Sequence, residues 1–105
     1  MNMNKYQQYA GVTRNKDVNE IVNYGLGITG EAGEVADIIK KAAFHGHELD
    51  IPELEKELGD VLWYLANIAS VVGLDLSDIA EKNINKLKKR YPEGFSEERS
   101  VNREE

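Results

Sequence analysis

Apolar residues recur at spacings of three and four along most of the chain, the period of helices with one buried stripe. Ile21, Tyr24, Ile28, Val35, Ile38, Ile39 and Ala42 trace such a stripe and predict a long helix over 18–44. Ahead of it, Asp17-Val18-Asn19-Glu20 has the spacing of a capping box, with Asp17 expected to accept the first free amides and Glu20 to reach back. Gly25, Gly27, Gly30 and Gly33 interrupt this stretch, each costing roughly 1 kcal/mol relative to alanine in a helix interior. Either the helix breaks near 25–30, or the small residues admit a neighbouring backbone or a bound group. A continuous or gently kinked helix is the expectation.

A loop at His45-Gly46-His47-Glu48-Leu49 follows, with Gly46 as the stop signal and Lys40 and Lys41 suited to the negative end of the helix dipole. Asp50-Ile51-Pro52-Glu53 then opens a second helix, 51–72, whose Leu54, Leu58, Val61, Leu62, Leu65, Ile68, Ala69 and Val72 give it wide apolar coverage. Gly73 ends that helix. Asp75-Leu76-Ser77-Asp78 opens a third, reaching about Tyr91, where Pro92 and Gly94 stop it. A short helix over 4–10, with an apolar edge of Tyr6, Tyr9 and Ala10, precedes them. Tyr91 and Phe95 are expected to fold the chain end back over the bundle, and beyond Phe95 the polar tail reads as frayed or disordered. The pattern predicts a single all-α domain, a compact antiparallel helical bundle of three main helices and a short N-terminal one, oligomerising into a larger bundle.

Composition narrows the function. A chain of 105 residues has room for one domain with a modest core, which favours self-association as a homodimer or homotetramer. Thirteen basic against 19 acidic residues, a net charge of -6, do not supply the basic footprint of a nucleic-acid groove. The absence of cysteine excludes disulfides and thiolate metal sites. No signal-like or membrane-spanning apolar run is apparent, so a cytoplasmic protein without membrane association is expected.

Against this background, two acidic steps stand out. Glu31 and Glu34 flank the line of Val35, Ile38 and Ala42, and Glu57 and Asp60 share a face with Val61, Tyr64 and Ile68. Carboxylates are among the groups least often buried without a partner. An antiparallel hairpin would bring the two steps face to face, where four carboxylates repel one another unless a hard divalent cation neutralises them; magnesium is the first candidate. His45 and His47, with Glu48 beside them, lack a third positioned ligand and read as a surface loop. Trp63 suits a core or subunit-interface position, and with Tyr64 and Tyr24 it is also a candidate to stack on a base.

Gly30-Glu31-Ala32-Gly33-Glu34-Val35-Ala36-Asp37 and Glu57-Leu58-Gly59-Asp60-Val61-Leu62-Trp63-Tyr64-Leu65 resemble the MazG-like branch of the all-α nucleoside triphosphate pyrophosphohydrolases. The resemblance continues through 83–95, Asn-Ile-Asn-Lys-Leu-Lys-Lys-Arg-Tyr-Pro-Glu-Gly-Phe, and more weakly through Tyr6-Gln7-Gln8-Tyr9-Ala10 with Thr13. It implies magnesium-dependent cleavage between the α and β phosphates of a nucleoside triphosphate, with manganese as a substitute ion. It maps the metal ligands onto Glu31, Glu34, Glu57 and Asp60; on chemical grounds, Glu34 or Glu31 is the candidate to accept the proton of the attacking water. Asn83 and Lys86 match positions facing the phosphate-binding cleft, which makes Lys86 a catalytic and substrate-binding candidate; Lys40 and Trp63 complete the substrate-binding set. The family motif opens with two adjacent glutamates, and here Gly30 stands in place of the first, leaving one metal or two open. The alternative is a non-catalytic helical interaction protein stabilised by a metal ion.

Overall fold

The structure, a computed structural model, describes residues 1–102, and every regular element in them is helical: α1 (Met3–Gly11), α2 (Glu20–Phe44), α3 (Ile51–Val71), α4 (Leu76–Arg90) and α5 (Glu97–Val101). The expected all-α bundle is therefore formed. Helix α2 runs unbroken through its four glycines. The starts of α3 and α4 follow the sequence signals, since Asp50 accepts from the Glu53 amide and Asp75 from the Asp78 amide. Gly46 and Gly73, at φ 75° and 78°, take the left-handed conformation that ends α2 and α3.

The start of α2 differs from expectation. Its cap is Asn19, whose side chain accepts from the Val22 amide, and Asp17 lies outside the helix. Glu20 does not reach back to an amide because Arg14 offers a guanidinium fork, binding its two carboxylate oxygens at 2.7 and 3.0 Å, while the Tyr24 hydroxyl donates a third bond at 2.9 Å. These partners hold the Glu20 carboxyl below its ordinary pKa, the Arg14 hydrogen bond first among the causes.

Helices α2 and α3 form the closely packed hairpin. Helix α1 lies across α3, where Tyr6 and Ala10 meet Ala66, Ala69 and Leu76. It is fastened there by amides as much as by apolar contact. Gln7 is buried, and its side-chain nitrogen donates to Ser70 Oγ and the Leu74 carbonyl while its oxygen accepts from the Leu76 amide, all near 2.9 Å. Asn4 accepts from the Ser77 amide at 3.0 Å. Two of the free amides at the start of α4 thus end on α1 side chains and a third on Asp75. Anchored end-on in this way, α4 leaves the direction of α3 by 102° and meets α1 at its start, in place of the packing along α2 or α3 that simple antiparallel joining predicted.

After Arg90 the chain turns at Pro92–Gly94, and Ser96 caps the short α5 where an irregular tail was expected. Arg99 donates from its guanidinium to the carbonyls of Lys89 and Arg90, occupying free acceptors at the end of α4. Phe95 does not cover the bundle; it packs on Tyr91 at a ring distance of 5.3 Å and stays exposed. The last three residues of the expected tail, 103–105, lie outside the described residues.

Because Gln7 satisfies three polar groups, of which the Leu76 amide is buried, Gln7→Leu keeps the volume and orphans that amide. A loss of about 2–4 kcal/mol is expected, read as a lower denaturant midpoint at unchanged slope, whereas Asn4→Ala at the exposed rim costs about 1 kcal/mol or less.

Candidate metal and nucleotide site

The register of the α2–α3 hairpin is antiparallel: Tyr24 meets Trp63, Gly27 meets Tyr64, and Glu31 meets Glu57 and Asp60. Gly27 decides the closeness of this approach. A Cβ there would lie only 2.3–2.9 Å from three atoms of the Tyr64 ring, so the ring lies directly on the α2 backbone. Of the four glycines in α2 this one has its reason in a neighbour; Gly25, Gly30 and Gly33 face open space.

One helical turn farther along, the carboxylates converge. One oxygen from each of Glu31, Glu57 and Asp60 can be chosen so that all lie within 4.8 Å of one another. Glu31 and Glu57 are half-buried and Asp60 is exposed. No ion pair among the described residues involves any of the three. Glu57 Oε2 is buried with no hydrogen-bond donor facing it, the costliest position in the cluster. The neighbouring Glu31 carboxyl, desolvation, and the charges of Glu31 and Asp60 raise the Glu57 pKa above the ordinary 4.5. A proton shared with Glu31 relieves this arrangement, and so does a cation. Three clustered oxygens open to solvent on one side suit a hard divalent ion that keeps several waters.

An open hollow of about 300 Å³ adjoins the acids, lined by Glu31, Asp60, Trp63 and Tyr64. Trp63, Tyr64 and the fully buried Tyr24 form a mutually edge-on triad, with ring centroids 5.0–6.1 Å apart. Burial, followed by the charge of Asp60, raises the pKa of the Tyr6 phenol, placing α1 within the electrostatic reach of the acids.

Other candidates stand farther out. Glu34, one turn beyond Glu31, is exposed and outside the three-acid cluster. Lys40 is exposed near the end of α2, where Lys41 pairs with Asp37 at 2.9 Å. Asn83 and Lys86 are exposed on α4, and neither lines the hollow. His47 and Glu48 border a separate shallow depression with Ile38, Lys41, Asp50 and Glu53. The sequence reading did not include Gly27 or Tyr6 in the site; the glycine surplus in α2 was the available signal for Gly27.

Residues 20–95 match the family described as the MazG nucleotide pyrophosphohydrolase domain. The chain belongs to this family. It is also 37% identical over 82 residues to the Gene 37 protein of Mycobacterium phage L5, an alignment covering 74% of this chain and 72% of that protein. No solved structure matches it significantly. Membership of the MazG family, together with an acid cluster able to hold a divalent ion, supports a nucleotide-hydrolase type of function acting on a small-molecule nucleotide. No single helix among the described residues is long and apolar enough to cross a membrane.

The Glu57 position carries a pH-dependent signature. Its raised folded-state pKa means that the native protein holds a proton more tightly than the unfolded chain, so its contribution to stability is present below about pH 4.5 and is lost as pH rises through the folded value. Glu57→Gln is therefore expected to melt higher than the parent at pH 7 in EDTA, with the difference shrinking on acidification. Excess magnesium should reverse the order by stabilising the parent alone.

Proposed function

We propose that this MazG-family chain hydrolyses nucleoside and deoxynucleoside triphosphates to the monophosphate and pyrophosphate with magnesium, clearing non-standard or surplus nucleotides from the cytoplasm. The observation that carries the reading is the buried, donor-less Oε2 of the half-buried Glu57 within a three-acid cluster, beside an aromatic-lined hollow. Such a carboxylate is costly without a cation and useful with one.

Glu31, Glu57 and Asp60 would hold the ion, and Glu34 would join through its exposed carboxylate or act as the base. Magnesium supplies charge neutralisation at the phosphates and a more acidic water, and manganese serves as a substitute. In the reaction a water oxygen bonds to the α phosphorus, the bond from that phosphorus to the α–β bridging oxygen breaks, and pyrophosphate leaves with the bond's electrons. The water proton passes to Glu34 or Glu31, either being a competent acceptor within reach of solvent. Trp63 and Tyr64 offer ring surface to the base. Lys86, Asn83 and Lys40 are the proposed contacts to the phosphates.

Self-association as a homodimer or homotetramer belongs to the same reading. The radius of gyration is 16.9 Å, against roughly 13 Å for a compact chain of this length. Leu58, Leu62 and Leu65 leave an apolar stripe exposed along α3, continued by Val72 just past its end, and Ile79, Ile84 and Leu87 are exposed on α4. Packing of these faces between copies offers Asn83 and Lys86 an acid site to approach, while the +3 balance of α4 complements its negative charge.

A panel of normal and modified triphosphates with product identification tests the reaction. Pyrophosphate and monophosphate in equal amounts are expected, abolished by EDTA and restored by magnesium. Glu57→Gln and Asp60→Asn should each lower turnover by about 100-fold or more, several kcal/mol of lost charge stabilisation. Orthophosphate as the product, or parent-like turnover and ion binding in both variants, would overturn the reading. No turnover across the panel would favour a non-catalytic interaction protein.

A further inference from the structure

Trp63 has a single polar atom, its indole Nε1, and that N–H leaves the hairpin to donate to Thr13 Oγ1 at 2.8 Å in the α1–α2 connection. The Thr13 hydroxyl is used in both directions, since it also donates to the Ala10 carbonyl at 3.1 Å. That carbonyl lies at the end of α1 and accepts from Asn67 Nδ2 at 3.3 Å, so the acceptor for Trp63 is tied back to α3. The connection has a second anchorage on the same triad. The Tyr24 hydroxyl accepts from the Asn15 amide at 3.2 Å and donates to Glu20, which Arg14 grips from the same connection.

These bonds leave the triad little freedom. Tyr24 is fully buried and fixed at its hydroxyl, and Tyr64 rests on the bare backbone of Gly27. Trp63 stands nearly perpendicular to both, at 84° and 87°, and is only half-buried because it borders the hollow with Glu31 and Asp60. Rotation of the indole about its bond to Cβ would break the Thr13 bond, so that bond opposes the motion. A solvent-accessible hydrogen bond of this kind contributes little to folding; its effect falls on the orientation of the ring. A wall set before the ligand arrives avoids the cost of ordering it on binding.

We propose that Thr13 is a positioning residue for the acid site, holding Trp63 so that Trp63 and Tyr64 present a preset aromatic surface to the base of a bound nucleotide. The inference rests on the nucleotide reading above. It assigns the α1–α2 connection, remote in sequence from the acids, a part in base recognition. Serine can make both hydroxyl bonds and valine neither, so the pair separates hydrogen bonding from side-chain bulk.

The test uses the full chain, its Thr13→Val and Thr13→Ser variants, and the fluorescence of Trp63, the single tryptophan. With magnesium present, each protein is titrated with a nucleoside monophosphate, and KM and kcat are measured with the corresponding triphosphate. Thr13→Val is expected to shift the emission of the free protein and to raise both the monophosphate Kd and KM by about threefold to tenfold, the equivalent of one neutral hydrogen bond. Its kcat should stay within about twofold of the parent, and Thr13→Ser should restore all three readings. Parent-like Kd and emission in Thr13→Val, a Thr13→Ser that fails as valine does, or a parent whose Trp63 ignores the monophosphate would each overturn the proposal. If the parent binds the monophosphate but turns nothing over, the hydrolase reading falls while the Kd arm still decides the role of Thr13.

Discussion

Three carboxylates can converge only if something other than their own interaction pushes the helices together, and here that is the packing one turn away, where Gly27 lets the Tyr64 ring lie on the α2 backbone. Like charges across a helix pair oppose its closure in the absence of a cation. The aromatic triad of Tyr24, Trp63 and Tyr64 supplies the opposing attraction, buried on one side and tethered through Thr13, Asn15 and Glu20. The acid cluster is thus held under electrostatic stress by its aromatic neighbour. Two of these rings, Trp63 and Tyr64, also line the hollow beside it, which joins the stabilising element of the hairpin to the surface proposed for the base.

The N-terminal helix has a larger part than its length implies. Too short to be stable alone, it is secured by side-chain amides that end on the α3–α4 corner. By satisfying the first amides of α4 it sets the direction in which that helix leaves. The consequence for function is spatial. Asn83 and Lys86 ride on a helix that is anchored on α1 at its start, outside the α2–α3 hairpin, and several of its apolar residues stay exposed. The open apolar surface of α3 and α4 and the all-acidic cluster are the features that the proposed second copy would cover and complement.

Much of this was legible in the chain because it depends on short-range rules. The stops at Gly46 and Gly73 and the caps at Asp50 and Asp75 involve residues within a few positions of each other, so their spacing reports them directly. Three of the four suspected acids meet for a similar reason: Glu31, Glu57 and Asp60 lie on helical faces whose phase can be counted, joined by a loop short enough to force an antiparallel return. The cap of α2 was misread because Glu20 had a stronger partner in Arg14 than in a local amide, and that competition is invisible to a four-residue pattern. Glu34 shows the limit of phase, since a modest rotation along the stripe separates a half-buried acid from an exposed one.

What the sequence by itself determined, then, is the all-α class, the helix boundaries to within a few residues, the acidic steps and the family they mark, all consequences of 3.6-residue periodicity and local capping chemistry. Only the tertiary structure decided that Gly27, among four similar glycines, is the contact point, that Thr13 and Trp63, 50 positions apart, share a hydrogen bond, and that α4 turns onto α1. Those outcomes depend on which side chains meet across elements and at what distance. Such contacts are set by the simultaneous satisfaction of buried amides and ring surfaces, which no spacing along the chain encodes.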